Sequence, residues 1–231
     1  MELRISASAD AARRGAAELL AEAASRGGHV ALSGGSTPGP AYELAARLQP
    51  DWGRTELWFA DERCVDPNDE QSNYRLVRER LFDRLERGPA AEHRIRGELP
   101  AEQAADEYEA ELRGVALDVV VLGIGADGHT ASLFPNDPAL DETGRSAVAV
   151  HRPDLDRVTM TLGALRAAGV IIFLATGADK ADAVRRAFAE QPSPATPASL
   201  VRSTTGITYA FLDREAGATL EVGQLLPEAY K

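Results

Sequence analysis

The sequence predicts an α/β protein built on a doubly wound, mostly parallel sheet flanked by helices. Short β-branched apolar runs such as Leu117-Asp-Val-Val-Val-Leu122 and Val170-Ile-Ile-Phe-Leu-Ala175 recur along the chain; glycine turns follow several of them, and segments of helical apolar spacing separate them. Strands buried on both faces read as near-continuous apolar runs. Their alternation with helices is the pattern of a parallel sheet covered on both sides. No internal repeat, low-complexity block or composition break divides the chain, so residues 1–231 are expected to form one domain.

Each element has a local reason. Residues 9–25 place Ala12, Ala16, Leu19, Leu20 and Ala23 at helical spacing and stop at Gly27-Gly28. Residues 29–33 are a short strand. Gly34-Gly-Ser-Thr-Pro38 then turns into a helix reaching about Leu48, with Pro38 near its first turn, where a missing N–H costs nothing. Residues 55–60 form the next strand and deliver Asp61-Glu62-Arg63 at its carboxyl end. Ser72 or Asn73 caps a helix running to about Leu85. A polar connection over 87–100 leads to a helix over 101–113 and to the central strand 117–122. Residues 146–150 and the alternating run 158–162 read as strands. Residues 170–175 form another buried strand, followed by Thr176-Gly-Ala-Asp-Lys180 and a helix over 181–189. The three prolines within 191–197 make a loop, and 208–212 is the last strand.

Bulk properties exclude several classes. A net charge of −11 argues against nucleic acid, which is bound by clustered Lys and Arg that neutralise phosphates. It leaves room for a small anionic substrate held in a local cationic pocket. No early apolar stretch resembles a signal peptide and no segment approaches a membrane span, so a soluble, cytoplasmic protein is expected, with no membrane partner. The one cysteine, Cys64, excludes an internal disulfide and reads as a small buried hydrophobe rather than a nucleophile. No HxH, HExxH or matched carboxylate cluster points to a metal.

The most informative stretch is Gly123-Ile-Gly-Ala-Asp-Gly-His-Thr-Ala-Ser-Leu-Phe-Pro135, which follows the central strand and puts Asp127 and His129 on a glycine turn. Open α/β sheets bind ligands at the carboxyl ends of their strands, where this turn is expected. Gly123, Gly125 and Gly128 also satisfy a dinucleotide-binding pattern, but that pattern needs an unbroken helix and then a strand ending in an acid. Pro135 and Pro138 interrupt the helix, and the next strand ends at His151 and Arg152. Nicotinamide binding is therefore not expected. Ser33, Asp61, Arg63, Asp127, His129 and Lys180 all fall at strand ends, which points to one shared cleft. His29, His93 and His151 are isolated and are expected to be structural or solvated.

Three motifs together resemble the 6-phosphogluconolactonase family, the form related to glucosamine-6-phosphate deaminase. They are Ser33-Gly-Gly-Ser-Thr-Pro38, Asp61-Glu-Arg63 continuing to Ser72-Asn-Tyr74, and the string through Asp127-Gly-His-Thr-Ala-Ser-Leu-Phe-Pro135. Weaker matches continue with Arg157-Val-Thr-Met-Thr161, Gly177-Ala-Asp-Lys180-Ala and Pro197-Ala-Ser-Leu-Val201. The resemblance implies a Rossmann-like, deaminase-type sheet. It also implies hydrolysis of 6-phospho-D-glucono-1,5-lactone in the pentose phosphate pathway, with no cofactor, no metal and a monomeric chain.

Under that resemblance His129 is the general base and then the general acid. Asp127 either orients His129 or caps its own turn. Asp61 holds sugar hydroxyls. Arg63, Arg157 and Lys180 meet the phosphate or the lactone, Arg157 being grouped with His129 and Asp127 as catalytic. The N–H groups of Gly34, Gly35 and Ser36 face either substrate oxygens or the developing oxyanion. The deaminase's corresponding motif ends Ala-Phe-Asn-Glu-Pro, and its ring-opening glutamate falls on Phe134, which cannot move a proton. A deaminase and a non-catalytic sugar-phosphate sensor are the rival readings.

Overall fold

The computed structural model describes residues 1–220; positions 221–231, which the single-domain expectation included, lie outside the described residues. The elements in chain order are β1 (Glu2–Ser6), α1 (Ala9–Arg26), β2 (Gly28–Leu32), α2 (Gly39–Leu48), β3 (Thr55–Phe59), β4 (Asp61–Arg63) and α3 (Asn73–Arg80). Then come β5 (Ala91–His93), α4 (Ala101–Leu112), β6 (Val119–Leu122), β7 (Ala147–Val150), β8 (Arg157–Met160), α5 (Leu162–Arg166), β9 (Val170–Ala175), α6 (Ala181–Phe188) and β10 (Ile207–Asp213).

Seven strands form the main sheet in the order β1-β10-β9-β6-β2-β3-β5, every neighbouring pair parallel. β6 occupies the middle, as its unbroken Val-Val-Val-Leu burial requires. From β2 the chain crosses to β3 on one side, whereas from β6 it proceeds to β9 on the other. The winding therefore reverses between β2 and β6, the place where open α/β sheets leave a crevice at their carboxyl edge.

The runs at 146–150 and 158–162 do form strands, β7 and β8, but not in the main sheet: with β4 they make a separate antiparallel sheet, β4-β8-β7. Val148 and Ala149 of β7 are half-buried, whereas Val158, Thr159 and Met160 of β8 are fully buried. β7 and β8 lie in the connection between β6 and β9, and the sheet joins them to β4, which follows β3, pairing Asp61 with Thr159 and Arg63 with Arg157. β4 and the edge strands β1 and β5, the latter inside the polar connection, lie where no strand was expected, and the short helix α5 begins at Leu162, the last residue of the expected strand 158–162.

Caps follow the sequence chemistry. Ser8 Oγ accepts the Ala11 N–H at the start of α1, and Ser72, not Asn73, caps α3 by accepting the Arg75 N–H. The core is filled by Trp52, Trp58, Tyr42, Tyr108, Phe59, Phe173 and Phe211. Two of these carry a polar end that fixes the crevice side of the sheet. Tyr42 donates to the Ser33 carbonyl, and the Tyr108 hydroxyl donates to the Phe59 carbonyl while accepting the Phe59 N–H. Both phenols ionise far above their ordinary range because they are fully buried. Among the described residues, no helix is long and apolar enough to cross a membrane.

Candidate active site

A cleft of about 200 Å³ opens at the reversal of the winding. One wall is the loop after β2, from Ser33 to Pro38; the opposite wall is the turn after β6, with Gly123, Ile124, Gly125, His129 and Ala131. Asp61, Arg63 and Asn73 form its floor, and Lys180 reaches it from the start of α6.

Asp127 and His129 are paired by the turn. Asp127 Oδ1 accepts both the His129 backbone N–H at 3.1 Å and the imidazole Nδ1–H at 2.6 Å. Orienting the ring and capping the turn are thus one contact, not alternatives. Burial pulls the Asp127 carboxyl upward, but the His129 N–H and imidazole outweigh it and leave the group below its ordinary range. An ionised carboxylate only accepts, so Nδ1 carries a hydrogen, and in the neutral imidazole Nε2 is then the nitrogen with the free lone pair. Among the described residues no group hydrogen-bonds to Nε2. Gly125 makes the arrangement possible: a Cβ there would lie 2.1 Å from His129 Nδ1 and 2.6 Å from Asp127 Oδ1.

The floor is a buried polar network. Asp61 is 6% exposed; Ser132 donates to its Oδ2 at 2.6 Å and the Asn73 amide to its Oδ1 at 3.2 Å. Glu62 is turned away from the cleft and collects the backbone N–H groups of Arg63, Asn73 and Tyr74 together with the Ser72 hydroxyl. It ties β4 to the start of α3. Burial pushes its carboxyl up to about 7, against the pull of those N–H groups. The Asn73 amide oxygen fills the space where a Cβ on Gly34 would stand, so the loop after β2 lies directly on the floor.

Cations and donors line the rest. Arg63 is held by the Gln71 carbonyl, and Lys180 Nζ lies 3.3 Å from Asp179 Oδ2. Asp213 accepts the Gly177 N–H at 3.1 Å and so sets the turn that carries Lys180. The N–H groups of Gly34, Gly35 and Ser36 donate to no backbone acceptor among the described residues, and Gly35 has a φ of +108°. Such a run of unpaired N–H groups makes a concavity for an anion.

Of the expected site residues, Gly34, Gly35, Ser36, Asp61, Arg63, His129 and Lys180 line the cleft, and Asp127 stands behind His129. Arg157 does not reach the wall. Its guanidinium pairs with Asp154 at 2.9 Å and lies 5.5 Å from the Phe134 ring centre, while Arg152 packs on that ring at 4.2 Å. Phe134 in turn lies 4.9 Å from the imidazole, centre to centre. Asn73, Ser132 and Arg186 belong to the site's framework and are not among the expected site residues; Asn73 and Ser132 stand within the resembling strings, and nothing in sequence spacing marks Arg186. His29 and His93 pack on Trp58, and His151 pairs with Glu102 and Asp156 at the surface. Burial, reinforced by Asp156 and Glu62, pushes the Cys64 thiol up to about 11, so it holds its proton at neutral pH. Among the described residues, no group of three or more His, Cys, Asp or Glu side chains is arranged to hold a metal. No α-helix follows the glycine turn directly, in keeping with the rejected dinucleotide pattern.

Residues 4–210 match the family described as Glucosamine-6-phosphate isomerases/6-phosphogluconolactonase. The Homo sapiens 6-phosphogluconolactonase is 38% identical over 208 residues, covering 84% of this chain and 81% of that protein. The crystal structure of the Thermotoga maritima 6-phosphogluconolactonase superposes with a TM-score of 0.76 at 31% identity, covering 91% of this chain and 97% of the other. A monomeric glucosamine-6-phosphate deaminase shares the fold, with a TM-score of 0.79 at 22% identity over 94% of this chain and 99% of its own. Matched by the family model over residues 4–210 and 38% identical to a curated member over most of its length, the chain belongs to the glucosamine-6-phosphate isomerase/6-phosphogluconolactonase family.

Proposed function

We propose that the protein hydrolyses 6-phospho-D-glucono-1,5-lactone to 6-phospho-D-gluconate, the lactone-opening step of the pentose phosphate pathway. The observation that carries this reading is the cleft-facing His129, paired through Nδ1 with Asp127 and flanked by Phe134. One proton carrier suffices for ester hydrolysis. Opening a sugar ring for deamination requires a further acid, and a phenyl ring stands where the deaminase motif has one.

The chemistry follows from the geometry. Nε2 takes a proton from water as the water oxygen bonds to the lactone carbonyl carbon, and the imidazolium is stabilised by the Asp127 carboxylate. The oxyanion or a substrate hydroxyl is met by the N–H groups of Gly34, Gly35 and Ser36. As the bond to the ring oxygen breaks, Nε2 returns its proton to that oxygen. Proton transfer of this kind contributes about 10²–10⁴-fold. Asp61, fixed by Ser132 and Asn73, orients the sugar hydroxyls. Arg63 and Lys180 hold the phosphate, and Arg157 acts at most through Phe134. Each step is completed by a side chain or backbone N–H of the cleft, without a cofactor or a metal.

Met1, Ile5 and Leu48 are the large hydrophobics exposed among the described residues. That small exposed apolar set favours a monomer, and sedimentation at micromolar concentration tests it. A cytoplasmic location goes with a reaction of central metabolism. The activity is tested by generating the lactone with glucose-6-phosphate dehydrogenase and following its loss above the spontaneous rate. Ammonia released from glucosamine 6-phosphate at enzymatic rates, without lactone opening, would favour the deaminase instead.

A further inference from the structure

α6 sends one side chain back to the acid–base turn. The Arg186 guanidinium donates from Nη2 to the Ala126 carbonyl at 3.1 Å and from Nη1 to the Asp127 carbonyl at 3.2 Å and to Thr196 Oγ1 at 2.8 Å. Its Nε is held by Asp182, one turn earlier on the same helix, at 2.9 Å. A planar five-donor fork can fix two adjacent carbonyls and a hydroxyl together, a set of contacts that an ammonium on a flexible stem cannot reproduce. The second side of the turn is held by the 191–199 loop, where the Ala198 N–H donates to the Gly128 carbonyl at 3.0 Å.

These carbonyls are the backbone of Asp127 itself and of the residue before it. Asp127 Oδ1 must lie within hydrogen-bond distance of two donors on His129 at once. The rotation of the Asp127 peptide and side chain decides whether it does. Asp127 and His129 are otherwise half-exposed, with side chains 50% and 34% accessible, so packing alone does not fix them.

We infer that Arg186 is a positioning residue for lactone hydrolysis, fixing the 126–129 turn so that Asp127 holds the His129 imidazole with Nε2 toward the substrate. It does not line the cleft and acts only through the turn. The inference rests on the reading of His129 as the proton carrier, and the test separates the two.

The experiment measures kcat and KM for lactone opening in Arg186→Ala and Arg186→Lys, each in the wild-type and Asp127→Asn backgrounds, with thermal melts alongside. Misplacing a catalytic group by about 1 Å costs on the order of 10²-fold, so Arg186→Ala should lower kcat by roughly 10- to 100-fold. KM should stay within about twofold, since ground-state contacts are untouched. Arg186→Lys should fall between, and added guanidinium ion should restore part of the alanine variant's kcat. In the Asp127→Asn background the same substitution should cost little more, because both changes break one unit. A folded Arg186→Ala protein with wild-type kcat, or a loss that multiplies undiminished in the Asp127→Asn background, would overturn the inference. Should the alanine variant fail to fold, Arg186→Lys in both backgrounds decides by the same cycle. Full kcat in a folded His129→Ala protein would instead remove the reading of the turn on which the inference stands.

Discussion

Asp127 and His129 lie two positions apart, a spacing at which contact depends on how the backbone turns between them. Gly128, at a φ of +95°, makes that turn, and one carboxylate oxygen then serves both the backbone and the ring. Glu62 is the other acid whose surroundings set its behaviour. Its folded value of about 7 stands above the ordinary 4.5 because burial penalises the anion. A raised carboxyl favours the folded state while it is protonated. Its contribution is complete below the unfolded value and is lost as pH rises through about 7. At about 1.4 kcal/mol per pH unit, the wild-type protein should lose on the order of 3 kcal/mol relative to Glu62→Gln between pH 4.5 and 8. Denaturant melts across that range check it; parallel stability curves for the two proteins would contradict it.

At the scale of elements, the site is a set of loops whose ends are pinned from behind. Tyr42 pins the end of β2, Glu62 joins β4 to α3, Asp213 sets the turn before α6, and Arg186 grips the turn after β6. Gly125 is one of the points at which this arrangement is tight. A methyl group there meets the His129 ring and the Asp127 carboxylate, half-exposed side chains that can swing away. Gly125→Ala is therefore expected to keep a melting temperature close to wild type while losing roughly 10²-fold in kcat. Unchanged turnover would show that the imidazole is not where catalysis needs it.

The same scale explains what was legible in the chain. The middle strands β2, β3, β6, β9 and β10 are buried, and their apolar runs read directly. β1 and β5 are the two edges of the sheet: Glu2, Arg4 and Glu92 face outward there, so no apolar run exists to be read. β7 and β8 were legible as strands but not as a separate sheet, because partner choice is a tertiary property. The residues that line the cleft were legible because their loops carry chemistry-bearing side chains and glycines. Arg186 was not, since an arginine facing a loop carbonyl has the same sequence surroundings as Arg185, which pairs with Asp182 at the surface.

Over the whole molecule, a net charge of −11 surrounds a cleft that carries Arg63, Lys180 and His129. An anionic substrate is repelled at long range and held at short range, so binding depends strongly on the few cations inside. A hydrogen bond to a charged group is worth about 1.5–3 kcal/mol. Lys180→Ala and Arg63→Ala should each raise KM by roughly 10- to 100-fold with a smaller change in kcat. Steady-state kinetics at fixed ionic strength measures this, and unchanged KM values would return both residues to ordinary surface pairing. The same fold serves deamination in a relative, so the fold does not choose the reaction. On the proposed reading, the choice lies in which groups surround the imidazole. The most direct measurement is lactone opening by folded His129→Ala, corrected for spontaneous hydrolysis and set beside wild type. Acceleration by the wild-type protein and a loss of about 10²–10⁴-fold in kcat for the variant are expected; full activity in the variant, or no acceleration by the wild type, would contradict the role of His129.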